Sequence, residues 1–274
     1  MHGRGILDAT SLNGAYGVLK CHYASGVTIS DLMLRTSQKS WMCYLYQSQY
    51  TTFDNVKIFG YGANNDGIAF QGSSGLEVKN CFIRSTDDCI SLKSENLNKD
   101  ANVTVSGSTM YGVASSDGIV AGYECKNRLN KITVKNCDII GGRGTTILGY
   151  GHAGFSICCD GPGPIYDVTF ENVRIENKVF ENNMNIIVTD ATKYLTGSLR
   201  GQPGSIRDIT LKNVKWENAG MPMRIMGFNA EHTVSNVLFD NCYAGGVKID
   251  ANSLYYTSYI APNVNEYTSD IRFR

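Results

Sequence analysis

Charge of one sign is missing: 25 Lys and Arg balance 25 Asp and Glu, and only 18% of the residues are charged. A chain that tracks a nucleic-acid backbone or an anionic bilayer carries a basic surplus, so no nucleic-acid partner is expected. Long hydrophobic runs are missing too; none approaches the roughly 20 residues a spanning helix needs, and no membrane partner is expected. The nine cysteines include no C-x-x-C pair and their number is odd, which speaks against a zinc cluster and against a complete disulfide framework. They read as mostly reduced and buried, with adjacent Cys158 and Cys159 as two small apolar residues at a turn. No metal and no cofactor is expected. Residues Met1–Asp8 lack the charged and apolar regions of a signal peptide. They read as the middle of a strand-and-turn repeat, so residues 1–274 are expected to form one domain lacking its N-terminal cap or an upstream domain.

Proline is scarce (5) while glycine is abundant (29), a balance that suits many short strands joined by tight turns. An eight-residue pattern recurs: apolar, any, apolar, any, Asn or Asp, any, any, then usually apolar. Its copies are Val27–Leu34, Thr51–Ile58, Leu76–Ile83, Val103–Met110, Ile132–Ile139, Val168–Ile175, Ile209–Trp216 and Val237–Ala244. Period-two alternation means strands, and spacings that vary from 24 residues (Val27 to Thr51) to 41 (Val168 to Ile209) suit a solenoid with loops of unequal length. The fold class is therefore all-β: a parallel β-helix of about eight or more coils, each paired with the next at about 4.8 Å. The fifth position (Asp31, Asn55, Asn80, Gly107, Asn136, Asn172, Asn213, Asn241) would stack at one corner, tolerate a left-handed turn and form an amide ladder. The sixth (Leu32, Val56, Cys81, Ser108, Cys137, Val173, Val214, Cys242) reads as core.

A second strand in each coil covers Trp41–Tyr46, Asp66–Phe70, Asp88–Leu92, Asp117–Ala121, Thr145–Gly149, Met184–Val188 and Met223–Met226. Aligned on Ile68, Ile90, Ile119 and Ile147, the position two residues earlier reads Asp66, Asp88, Asp117 and Thr145. Strict alternation would bury those aspartates, at prohibitive cost. Gly67 and Gly118 permit a bend, so the aspartates are placed on an outer face, at the mouth of a groove. Asp66, Asp87 and Asp88 would then crowd together, raising at least one pKa, which is how a glycosidase separates its acid from its base. Ordinary turn residues and a calcium site are the competing readings of the same aspartates.

Asn64-Asn65-Asp66-Gly67-Ile68, followed 21 residues after the Asp by Asp87-Asp88-Cys89-Ile90-Ser91-Leu92-Lys93-Ser94, resembles the motifs of the polygalacturonase family of glycoside hydrolases (family 28). The dextranases and α-1,3-glucanases are related to that family. The resemblance implies a right-handed β-helix, with Asp87 as general acid and Asp66 with Asp88 activating water for inversion. Two departures stand out: Ser116-Asp117-Gly118 where polygalacturonases carry Gly-His-Gly, and Thr146-Ile147-Leu148 where they carry Arg-Ile-Lys. Arg224-Ile225-Met226 matches the latter in letters, three coils too late. The basic pair holds the substrate carboxylate, so its loss, with a Gly118–Glu124 segment closer to the dextranases, points toward a neutral sugar. The substrate-binding residues expected are Asp117, Lys93, Tyr123, Glu124, Arg143, Tyr150, His152 and Trp41, with Tyr44 nearby. The resulting expectation is a monomeric inverting hydrolase of a polysaccharide or oligosaccharide, by family resemblance secreted or periplasmic in the full-length protein. A non-catalytic carbohydrate-binding or structural β-helix is the rival reading, and a polysaccharide lyase the third.

Overall fold

The computed structural model describes residues 1–12, 17–96, 99–143, 152–176, 181–190 and 202–274. A full coil holds three strands. The first belongs to an eight-stranded sheet made of Leu19–His22, Cys43–Tyr46, Ile68–Gln71, Ile90–Lys93, Ile119–Gly122, Ala153–Cys159, Asn182–Val188 and Met223–Met226, all paired in parallel. We call this the site sheet. The other two strands of each coil lie in a 17-stranded sheet. Among the described residues its pairings are parallel, except for the short Tyr243–Ala244 and Val247–Lys248 hairpin. The expected parallel β-helix is thus observed.

The eight-residue pattern is a strand, a corner and a second strand. In one copy Ser25–Ser30 leads through Asp31 into Met33–Thr36. All eight fifth-position residues have φ between 53° and 58°. That left-handed region is costly for most L-residues and cheap for Asn, Asp and Gly. The expected ladder forms from Asn136 upward: Asn172 donates to Asn136 at 3.0 Å, Asn213 to Asn172 at 2.8 Å and Asn241 to Asn213 at 2.7 Å. Below it Asn55 donates to Asp31, whereas Asn80 turns to Asp54 and Gly107 contributes no side chain. The sixth position is buried at every coil.

A second left-handed column, unread in the sequence, precedes the same strands: Gly26, Tyr50, Gly75, Asn102, Lys131, Asp167, Asp208, Asn236 and Asp270, with φ between 50° and 75°. The core fills the space between the sheets, with Phe155 stacked on Phe170 at 4.0 Å and Trp216 fully enclosed. Tyr255, beside the last site-sheet strand, accepts from Asn183 and donates to the Met221 carbonyl.

One expected strand is misplaced. Thr145–Gly149 lies outside the described residues, and the strand paired with Ile119–Gly122 is Ala153–Cys159, with Phe155 opposite Ile119. Ile147 matched the pattern in letters, but Phe155 is the residue that fills the core against Phe170. Cys158 and Cys159 consequently close a strand rather than occupy a turn; both are buried, as are the other seven cysteines. Replacing Asn172 by Ala removes two ladder hydrogen bonds and puts a Cβ-bearing apolar residue at φ 53°. The expected loss is about 1–3 kcal/mol, read as a lower urea midpoint at unchanged slope.

Candidate active site

Alternation breaks at one place in the site sheet. Ile68, Ile90, Ile119 and Phe155 point into the core, and so do the positions just before them: Cys89 is buried there, and a Cβ on Gly67 or Gly118 would fall 2.3 Å from Ile83 or Ile139. Two successive inward positions shift the phase by one residue. The preceding Asp66, Asp88 and Asp117 therefore face the outer surface, in one column with Trp41 before them and Ala153 after. Ser91, outward between Ile90 and Leu92, confirms the direction by donating to Asp66 Oδ2 at 2.7 Å.

The column is not an open mouth, as the sequence suggested. Asp66 is 3% exposed, Asp88 8% and Asp117 0%, and Asp87 alone is half-buried. The reason is that each carboxylate is drawn down onto the next coil: Asp88 Oδ1 accepts the Asp117 N–H at 2.9 Å, and Asp117 Oδ1 accepts the Ala153 N–H at 2.7 Å. Asp87 Oδ1 accepts the Asp88 N–H at 3.1 Å.

Crowding and burial raise these acids. Asp66 is pushed up to about 7, chiefly by burial and then by the charge of Asp87, with Lys93 and Ser91 opposing. Asp88 is held well above the ordinary carboxylate range by burial and by Asp87, Asp117 and Asp66. Asp87 is raised by burial, against the hydrogen bond from Asp88 and the charges of His152 and Lys93. The site therefore offers protonated and ionised carboxyl groups side by side near neutral pH.

A lysine and a histidine flank the acids. Lys93, itself 7% exposed, pairs with Glu124 at 3.2 Å and lies 4.8 Å from the centre of the Trp41 ring. Burial works against its charge, but Glu124, Asp66 and Asp88 outweigh that and raise its pKa. On the other side His152 Nδ1 stands 3.3 Å from Asp117 Oδ1. Asp88, Asp117 and His152 converge, with one ligand-type atom from each lying within 4.8 Å of the others. That trio, which the sequence reading did not treat as a metal centre, has the donor types to hold a divalent cation.

The remaining expected residues divide. Trp41 packs edge-on against Tyr44 at 5.1 Å, and Tyr44 donates to Gln71, so both stand beside the carboxylates. Glu124 lies in the same network, accepting from Gln71 and Lys93. Tyr123 is 9% exposed and packs with Val120 and Cys158 on the outer side of the site sheet. The Arg143 side chain and all of Tyr150 lie outside the described residues. Arg224 lies two strands beyond Ala153–Cys159, not three, in register with Asn185 and, through it, Ser156. Three participants were missed: Ser91, Gln71 and Glu95, which accepts from Gln71 at 2.6 Å. Ser91 and Gln71 were findable from their outward parity; Glu95, at a corner, carried no such signal.

Comparison with known proteins agrees with this fold. The glycosyl hydrolases family 28 model matches residues 4–257. The chain belongs to this family. A polygalacturonase from Brassica napus is 30% identical over 158 residues, which is 52% of this chain and 38% of that protein. A hyperthermoactive exopolygalacturonase from Thermotoga maritima superposes with TM-score 0.61 at 16% identity, covering 92% of this chain and 54% of that one. An endo-xylogalacturonan hydrolase from Aspergillus tubingensis gives 0.56 at 14%, covering 92% and 63%. The right-handed β-helix of family 28 is thus shared, and the chain spans 38% of the length of the curated relative.

The raised acid sets a pH dependence. Asp66 holds its proton to about 7 when folded, whereas the unfolded carboxyl releases it near 3.8, so its contribution to stability is complete below about pH 4 and lost as pH rises through 7. Asp66→Asn is expected to raise stability at pH 8 by about 2–4 kcal/mol and to flatten the fall between pH 4 and 7 in a melting series.

Proposed function

We propose that this family 28 chain is the catalytic β-helix of an inverting polysaccharide hydrolase. The observation that carries the reading is the cluster of Asp66, Asp87 and Asp88 just ahead of two paired strands of the site sheet, with Asp87 the most exposed of the three. Asp87, raised and accessible, protonates the leaving glycosidic oxygen. Asp66 and Asp88, crowded enough to share one proton between them, hold the water on the opposite side, and the ionised member of the pair takes the water's proton as its oxygen attacks the anomeric carbon. Inversion asks for an acid and base about 6.5–9.5 Å apart, within reach of one strand spacing plus side chains. General acid–base catalysis of this kind supplies about 10²–10⁴-fold.

Close to the acids the groove favours a sugar unit without a carboxylate. At the outward positions of the next two strands stand Ser156, Cys158 and Asn185, all uncharged, and Lys93 is engaged by Glu124; Arg224 follows one strand further in the same row. The named relatives act on polygalacturonan and xylogalacturonan, so the candidates for this chain are neutral α-glucans and the pectic polysaccharides.

A panel of galacturonan, xylogalacturonan, dextran and α-1,3-glucan, with reducing-end release and product NMR, tests the proposal. Cleavage with inverted anomeric configuration is expected, and Asp87→Asn is expected to lose about 10²–10⁴-fold in kcat while its circular dichroism and melting temperature stay unchanged. Retained turnover in Asp87→Asn sinks the role of Asp87; retained configuration sinks the mechanism.

A further inference from the structure

One concave feature beside the acids has no part in the acid–base roles. Lys20, Lys39, Ser40, Trp41, Tyr44 and Asn64 line a hollow of about 510 Å³, within the roughly 300–1,000 Å³ usual for a small-molecule site. It adjoins the column directly, since Trp41 stands one strand ahead of Asp66 and Asn64 lies two residues before Asp66 in the chain. Its walls are tied together. The buried Asn65 clamps the two loops that form them, donating to the Gln38 carbonyl at 2.6 Å and to the Ser40 carbonyl, and accepting the Gly62 N–H at 2.6 Å. Gly62 is required by space, because a Cβ there would run into the Ser37 and Gln38 carbonyls. On the opposite wall Trp41 packs edge-on against Tyr44, whose hydroxyl donates to Gln71 at 2.8 Å.

The charge of the hollow is opposite to that of the column. None of its lining residues is an acid and two are lysines; Lys39 is exposed and forms no ion pair among the described residues. A sugar carboxylate set over Asp66, Asp87 and Asp88 meets like charge. Set in the hollow, the same carboxylate meets ammonium groups, with Ser40 and Asn64 to bond hydroxyls and the Trp41 and Tyr44 rings to cover an apolar sugar face. We propose that the hollow is a binding subsite for a carboxylate-bearing sugar unit, gripped chiefly by Lys39, so that the chain reads an acidic unit beside the cleaved bond and a neutral one at it. Its place in a reaction rests on the hydrolase reading; the binding itself does not. Lys20 pairs in register with Tyr44 and Tyr44 with Ala69, so the hollow lies one to two coils from the acids, about 5–10 Å. The substrate is then a polysaccharide that mixes uronate and neutral units, rather than a uniform galacturonan or a neutral glucan.

Trp41 supplies the readout. The chain has two tryptophans and the other, Trp216, is 1% exposed in the core, so a ligand-dependent change in tryptophan emission reports the hollow. Digalacturonate is expected to shift the emission of the intact protein saturably, with an affinity that falls as NaCl rises, and its carboxyl-reduced counterpart, digalactose, to bind about 5–10-fold more weakly. Lys39→Met is expected to lower digalacturonate binding to the level of digalactose, and Lys39→Arg to restore it. No shift in emission, equal affinity for the two sugars, or digalacturonate binding unchanged in Lys39→Met overturns the subsite. In hydrolysis, an alternating rhamnose–galacturonate polymer is expected to show a lower KM than the same polymer after carboxyl reduction, and the gap to close in Lys39→Met; a gap that persists in the variant places the recognition elsewhere and overturns the proposal. If no polysaccharide is cleaved at all, the hydrolase reading has failed, and the fluorescence titration still decides the hollow.

Discussion

A parallel sheet in strict register stacks like on like at about 4.8 Å, and everything distinctive in this protein follows from what that spacing does to two kinds of side chain. Asparagines placed one above another hydrogen-bond, and the ladder from Asn136 to Asn241 lines a corner. Aspartates placed one above another repel. Asp66, Asp88 and Asp117 nevertheless share a column, nearly buried, with Asp87 beside them. The fold tolerates this through backbone amides of the succeeding coils, the Ser91 hydroxyl, and Lys93 and His152 on the two flanks. A crowded acid cluster held by fixed hydrogen-bond donors is costly for stability and suited to proton transfer.

The phase shift at Gly67, Cys89 and Gly118 is the link between fold and chemistry. Without two consecutive inward residues the carboxylates would point into the hydrocarbon core. With them, the acids sit immediately ahead of paired strands, so their spacing follows the strand register. The glycines at two of these positions are required by space: a Cβ on Gly118 would also meet the Gly154 carbonyl at 2.6 Å.

The corner column, the buried sixth position and the aspartate column were legible because each is a repeated side-chain choice answering a repeated backbone demand. The phase shift was legible for the same reason, since charge cannot alternate into a core. The coil after Asp117 was misread because its strand begins later than the Ile147 pattern suggested; pattern alone cannot weigh Phe155 against Ile147, whereas packing on Phe170 does. The second left-handed column escaped notice because Tyr50 and Lys131 stand among its Gly, Asn and Asp. The depth of the acids and the pairing of Lys93 with Glu124 were hidden as well, since both depend on groups from different coils, 31 residues apart in the case of the ion pair.

Carbon-13 NMR titration of the aspartate carboxyl carbons, assigned through single Asp→Asn variants, tests most directly that the column is one coupled acid–base unit. The account predicts a carboxyl titrating near 7, with Asp66 shifting downward when Asp87 is replaced by Asn. Asp66, Asp87 and Asp88 titrating independently in the ordinary carboxylate range would contradict it.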